Sequence, residues 1–266
     1  MEMASVVGLI LGLVAVGLGM VLKGASLGAL NNPAAFLIIF VGTIASVSIA
    51  FPTEELKRVP KLFKLVFVKS KTLSKIEVIK TLIEISTFTR REGLLALDER
   101  LEDIEDDFLK RGLQLIVDGT DLDMVKAVLE EEINATEARH NSGSLIFSQA
   151  GAYAPTLGVL GAVVGLIAAL GNLNDIEKLG HSIAAAFVAT LLGIFTGYVL
   201  WNPMANKLKR ISKREIELKE MMMEGILSMG QGLSPTIIEQ YLISFLSLGE
   251  LDKYYASKEG AKDGQE

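Results

Sequence analysis

Residues 151–201, GAYAPTLGVLGAVVGLIAALGNLNDIEKLGHSIAAAFVATLLGIFTGYVLW, decide the fold. Positions 152–170 contain no charged residue. At 1.5 Å per residue that run covers nearly 30 Å, the thickness of a bilayer's hydrocarbon. Positions 182–201 are equally free of charge and end in Tyr198 and Trp201, rings that favour the headgroup level. The stretch predicts two membrane-spanning helices joined by a short polar loop.

Neither helix is patterned only for lipid. Gly151, Gly158, Gly161 and Gly165 in the first, and Ala185, Ala189, Gly193 and Gly197 in the second, form stripes of small residues along which backbones can approach closely. Another helix is expected on each stripe. Pro155 lies one turn inside the first helix, where it removes a donor and crowds the Gly151 carbonyl, so a bend or local unwinding is expected there.

Half of the 266 residues are hydrophobic, which for this length points to a membrane protein. Residues 4–22 form a first apolar run, preceded by Met1-Glu2-Met3 rather than a basic segment, so a retained helix is expected rather than a cleaved signal. After the turn signal Asn31-Asn32-Pro33, a second run covers 34–51 and stops at Pro52. The expected architecture is an all-α integral membrane protein with four spans, two in residues 1–52 and two in 151–203.

Charge sets the orientation. Lys57, Arg58, Lys61, Lys64, Lys69, Lys71 and Lys75 follow the second span, and Lys207, Lys209, Arg210, Lys213, Arg214 and Lys219 follow the fourth, whereas loops 23–33 and 171–181 carry one lysine each. The bias places both large polar parts in the cytoplasm. The clusters are read as topology determinants whose side chains snorkel to the headgroups.

Residues 53–150 are too long for a connector, and their apolar positions recur at helical spacing: Ile76, Ile79, Leu82, then Leu109, Leu113, Ile116, then Val125, Leu129, Ile133. They are expected to form a helical cytoplasmic domain. Gly119 is a helix stop and Thr120 or Asp121 a cap for a helix running on through Phe147. Residues 204–266 prolong the fourth span and then start a terminal helix at Ser234-Pro235 that reaches Leu248. From Ser257 the composition suggests disorder.

The chemistry is narrow. Without cysteine, and with only His140 and His181, the chain offers no thiolate metal site and little prospect of a metal centre. It has no nucleotide-binding loop or nucleophile elbow. No enzyme activity, cofactor or nucleic-acid partner is expected. None of the four spans contains Asp, Glu, Lys, Arg or His, although ion pathways normally need such a group. The spans do hold Thr43, Thr156, Thr190 and Thr196, whose hydroxyls either solvate an ion or bond back to their own helix. Arg90 and Asp98 lie eight residues apart, which on a continuous helix puts them on one face, though Gly93 stands between them. That charged run is either a solvated face or a contact for a partner of complementary charge.

The run Arg90-Arg-Glu-Gly-Leu-Leu-Ala-Leu-Asp98, the segment Pro155-Thr-Leu-Gly-Val-Leu-Gly, and Thr190-Leu-Leu-Gly-Ile-Phe-Thr-Gly with Pro203 beyond it resemble the MotA family of flagellar stator subunits. The resemblance covers nearly the whole chain. It implies a homo-oligomer of five copies around two single-span MotB-like chains whose membrane aspartate carries the ion, with a cytoplasmic domain that pushes on the rotor protein FliG. It assigns Arg90, with Asp98 or Glu99, to the rotor contact, and Pro155 and Pro203 to conformational coupling. The ion pathway is assigned to Thr156, Thr190 and the position of Ala162, where sodium-driven members of the family carry threonine. Alanine there favours protons; carbonyls freed by Pro155, such as that of Gly151, are the alternative that would admit sodium. Competing readings are an energy-transducing subunit for envelope transport, as in the ExbB and TolQ relatives, and a passive membrane scaffold.

Overall fold

The computed structural model describes residues 3–68 and 73–263, and every regular element among them is helical. In chain order these are α1 Met3–Leu22, α2 Pro33–Ala50, α3 Val59–Phe67, α4 Lys75–Glu92, α5 Asp107–Val117, α6 Leu122–Leu170, α7 Ile176–Gly230, α8 Pro235–Leu242 and α9 Leu248–Asp263. Two stretches widen to π-type turns, Leu37–Val41 in α2 and Thr196–Trp201 in α7. The chain divides into one compact unit of residues 1–70 and 139–212 and a second of 71–138 and 213–266.

The first unit holds the apolar stretches of the four helices that are long and apolar enough to cross a membrane, α1, α2, α6 and α7. Asn32 caps α2 by accepting from the Ala35 N–H, while its own amide donates to the Ala185 carbonyl at 3.2 Å, which fixes that loop to the start of α7. At the other end Lys207 donates to Ser5 at 2.5 Å, and Phe51 and Trp201 share one apolar cluster. The start of α1 and the ends of α2 and of the fourth span therefore share one side, as alternating spans require.

α3 is amphipathic. Val66 is buried and Phe63 stands edge-on to Phe147 at 5.1 Å and to Trp201 at 5.9 Å, while Lys61 and Lys64 are exposed. Trp201, expected as a headgroup-level ring, is thus half-buried in a cluster, whereas Tyr198 is 66% exposed. Because residues 53–68 and 139–150 pack with the spans, the compact cytoplasmic candidate is narrower than the 53–150 insertion and includes residues after 213.

In the second unit, α4 opens with a reciprocal cap between Ser74 and Glu77, and Gly93 at φ 90° ends it. Asp106 caps α5, Gly119 at φ 73° follows it, and Asp121 caps α6 by accepting from the Asp123 N–H at 3.0 Å. These turns follow from the residues that tolerate them. The core joins Ile79, Leu82, Leu97, Leu113 and Leu129 to Met221, Met222 and Ile226. Ser234 caps α8 as expected, but that helix stops at Leu242, and Ser247 with Glu250 caps a new one. The tail from Ser257, expected to be disordered, is helical to Asp263. Buried Tyr254 and exposed Lys258 both donate to Glu239, which supplies the tertiary contact that composition could not reveal.

Candidate functional site

The small-residue stripes of α6 and α7 meet each other. A Cβ added at Gly193 would lie 2.7 Å from the Ala154 carbonyl oxygen and from Gly158 Cα, and one at Gly158 would lie 2.9 Å from Gly193 Cα. Gly165 is similarly close to Ala186, and Gly161 to the Ala189 methyl at 3.1 Å. Each stripe was expected to hold another helix, and it does: the two stripes hold each other. Substitutions at Gly193 therefore act first inside the protomer, because the obstructing atoms are its own backbone.

α6 stays helical through Pro155, so of the bend or unwinding expected there the unwinding is absent, and a widened turn lies opposite, in Thr196–Trp201 of α7. There the Asn202 N–H reaches back five residues to the Gly197 carbonyl. Pro203, with no N–H, cannot serve the carbonyl of Val199, and a wider turn is one way to reallocate donors. Gly197 faces Pro155: an added Cβ would lie 2.7 Å from its Cγ and 2.9 Å from the Gly151 carbonyl oxygen. The two prolines singled out from sequence thus bear on one stretch of α7, from opposite sides of Gly197. The Gly151 carbonyl, offered as a sodium ligand, is covered by Gly197 and so is poorly placed for that role.

The hydroxyls look inward to their own helices. Thr156 donates to the Tyr153 carbonyl at 2.7 Å and Thr43 to Ile39 at 2.6 Å, while Thr190 reaches Ala186 only at 3.4 Å. Thr190 is therefore the more weakly engaged of the two expected pathway hydroxyls. Thr156 is exposed, Ala162 and Thr190 are half-buried, and Pro203 is exposed. Val159, Val163 and Ile167 of α6 and Phe187, Ile194 and Tyr198 of α7 leave an apolar surface uncovered in the single chain.

The charged run in the second unit does not form one helical face. Gly93 ends α4, so Arg90 sits in its last turn and Asp98 in the separate 3₁₀ segment Leu95–Asp103. Arg90, Asp98 and Glu99 are all exposed, and among the described residues no ion pair joins them. Asp98 receives only a long hydrogen bond from Gln114, at 3.5 Å. Arg100 is instead engaged locally, over the Phe88 ring at 4.4 Å and 4.0 Å from Glu84. The exposed charges form an edge held up by buried Leu97 and Leu101, beside the 78% exposed Leu95.

Sequence reasoning missed two features. One is Glu132, which pairs with Arg111 at 2.6 Å and Lys219 at 3.6 Å; no spacing rule links three residues on three segments. The other is the widened turn in α7, whose signals were present as Gly197 and Pro203 but are ambiguous without the neighbour at Pro155.

Residues 100–221 match the MotA/TolQ/ExbB proton channel family. The chain is 53% identical to Motility protein A of Bacillus subtilis over 265 residues, covering 100% of this chain and 98% of that one. It superposes on the structure of the flagellar MotAB stator complex from Bacillus subtilis with a TM-score of 0.88 and 55% identity, covering 94% of this chain and 98% of that one. With the structure of C. jejuni MotAB the TM-score is 0.89 at 30% identity, covering 93% and 97%.

Proposed function

The chain belongs to the MotA family of flagellar motor stator subunits, multi-pass proteins of the bacterial cell membrane, and on that premise we propose how its residues divide the work of turning ion flow into torque. The observation that carries the reading is the absence of Asp, Glu, Lys, Arg and His from its four spans. A conducted ion needs a group to hold it in hydrocarbon, so the carboxylate comes from a single-span MotB-like partner. The uncovered apolar surface of α6 and α7 receives that helix and neighbouring copies, five in all, and the solved MotAB complexes support the pairing.

Protonation of the partner carboxylate cancels a charge in a medium of low dielectric and so changes the forces on the surrounding wall. The site able to yield is the contact of Pro155 with Gly197, where α7 already carries a wider turn. α6 and α7 are each unbroken beyond it, so a shift there is carried along stiff helices. The output edge is Arg90 with Asp98 and Glu99, which pushes on the rotor protein FliG from the cytoplasm.

Ala162 supplies no side-chain oxygen at the position where sodium-driven members of the family carry threonine, so the ion is a proton. A second reading, sodium, is favoured only by the long Thr190 bond. Swimming speed measured at fixed pH decides: it should survive replacement of sodium by potassium and collapse with a protonophore. The reverse pattern refutes the proton. Co-expression with the neighbouring single-span partner should be required for ion flux into vesicles, and flux from this chain alone would refute the division of labour.

A further inference from the structure

We propose that the cleft between α1, α3 and α7 binds an anionic phospholipid, with its phosphate at Lys207 and Ser5. The cleft encloses about 330 Å³ and is lined in part by Ser5, Gly8, Val66, Val199, Pro203 and Lys207. Its lining is divided. Leu9, Val66, Val199 and Met204 give an apolar wall, and Ser5 Oγ and Lys207 Nζ, 2.5 Å apart, give a polar end.

That division follows the membrane boundary. Ser5 lies in the first turn of α1, and Lys207 lies six residues beyond Trp201 on α7, so the polar end sits at headgroup level and the apolar wall faces hydrocarbon. Exposed Lys57, Arg58, Lys61 and Lys64, on and just before α3, add positive charge around the same unit, and each basic residue at such a surface favours anionic lipid. The volume falls at the low end for small-molecule clefts, so the cleft takes the headgroup end of a lipid and leaves its chains in the surrounding hydrocarbon. Gly8 supplies the room: no atom lies within 4 Å of a Cβ added there. Pro203 belongs to the same wall, so an occupying lipid touches the residue that follows the widened turn.

The test uses the full chain co-purified with its partner, stripped of lipid in detergent and titrated with phosphatidylglycerol, phosphatidylcholine or inorganic phosphate under native mass spectrometry. Phosphatidylglycerol should be retained at one per chain. Lys207→Gln should lower its affinity about fivefold, the factor for one basic residue at an anionic surface. Gly8→Phe, which fills the cleft without touching the amine, should lower it at least as much, and Lys126→Gln, in the second unit, should not. Melting temperatures equal to wild type show that the site and not the fold was lost. Equal retention of phosphatidylcholine, or full binding by both cleft variants at unchanged melting temperature, overturns the proposal. So does protection by inorganic phosphate as effective as that by lipid, or a photo-crosslinker at Gly8 that captures polypeptide.

Discussion

Replacing Gly193 with alanine adds one methyl group where the structure leaves no room. Its Cβ would sit 2.7 Å from the Ala154 carbonyl oxygen and from Gly158 Cα. Carbon pairs prefer ~3.5–4.0 Å, so α6 and α7 must part by about 1 Å at the crossing. Both obstructing atoms are backbone, which no rotamer change can move. Overpacking of this kind costs ~1–3 kcal/mol, and a gap of ~0.5–1 Å forfeits a quarter to a half of each remaining contact along the seam. Alanine recovers ~1 kcal/mol of helix propensity over glycine, leaving a net loss of about 1 kcal/mol from overpacking, to which the forfeited contacts add. Two glycines calibrate the series. Gly161→Ala meets only the Ala189 methyl, at 3.1 Å, and should lose less, while Gly8→Ala meets nothing and should match or exceed wild type. The assay is the apparent melting temperature of the detergent-purified protein, scored beside swimming speed. If Gly193→Ala melts with Gly8→Ala, the helices do not cross at backbone contact and the reasoning fails.

Gly197→Ala presses on the Pro155 ring at 2.7 Å and should reduce swimming far more than stability, and normal speed on soft agar would exclude that contact from coupling. Single changes in the exposed edge cost little, since surface pairs contribute ~0–1 kcal/mol, but Arg90→Glu combined with Asp98→Lys should abolish swimming against an unaltered rotor, and retained swimming removes these residues from the contact. For topology, a cysteine at exposed Glu102 should be reached by an impermeant reagent only after the cells are opened, and one at Asn174 from outside; the opposite pattern inverts the orientation. Burial raises the Glu239 carboxyl, but hydrogen bonds from Lys258 and Tyr254 outweigh it and leave it below its ordinary range. Its stabilisation of the contact between α8 and α9 is therefore present above the unfolded value near 4.3 and lost as pH falls through the folded one. Limited pepsin digestion should release α9 increasingly below about pH 4, whereas Glu239→Gln should release it at every pH; acid-independent wild-type digestion contradicts the assignment.

The sequence made the four spans legible, and with them the caps at Asp121 and Ser234. Each is a local property: an uncharged run has a length, and Asp121 and Ser234 accept from donors two and three residues away. It also exposed the lack of an intramembrane charge, from which the need for a partner follows, and the motifs at Arg90, Pro155 and Pro203. What only the tertiary structure decided is which surfaces meet. A stripe of glycine and alanine states that a helix approaches closely, but not whose; Gly158 on Gly193 is a pairing across 35 positions, set by how the whole chain closes. The widened turn Thr196–Trp201 is likewise a tertiary matter: Pro203 withholds a donor from the Val199 carbonyl, and Gly197 within that turn packs on Pro155 of the neighbouring helix. The helical tail beyond Ser257 has the same origin: its composition is that of a solvated segment, and only Glu239, brought beside Tyr254 and Lys258 by packing, holds it in place.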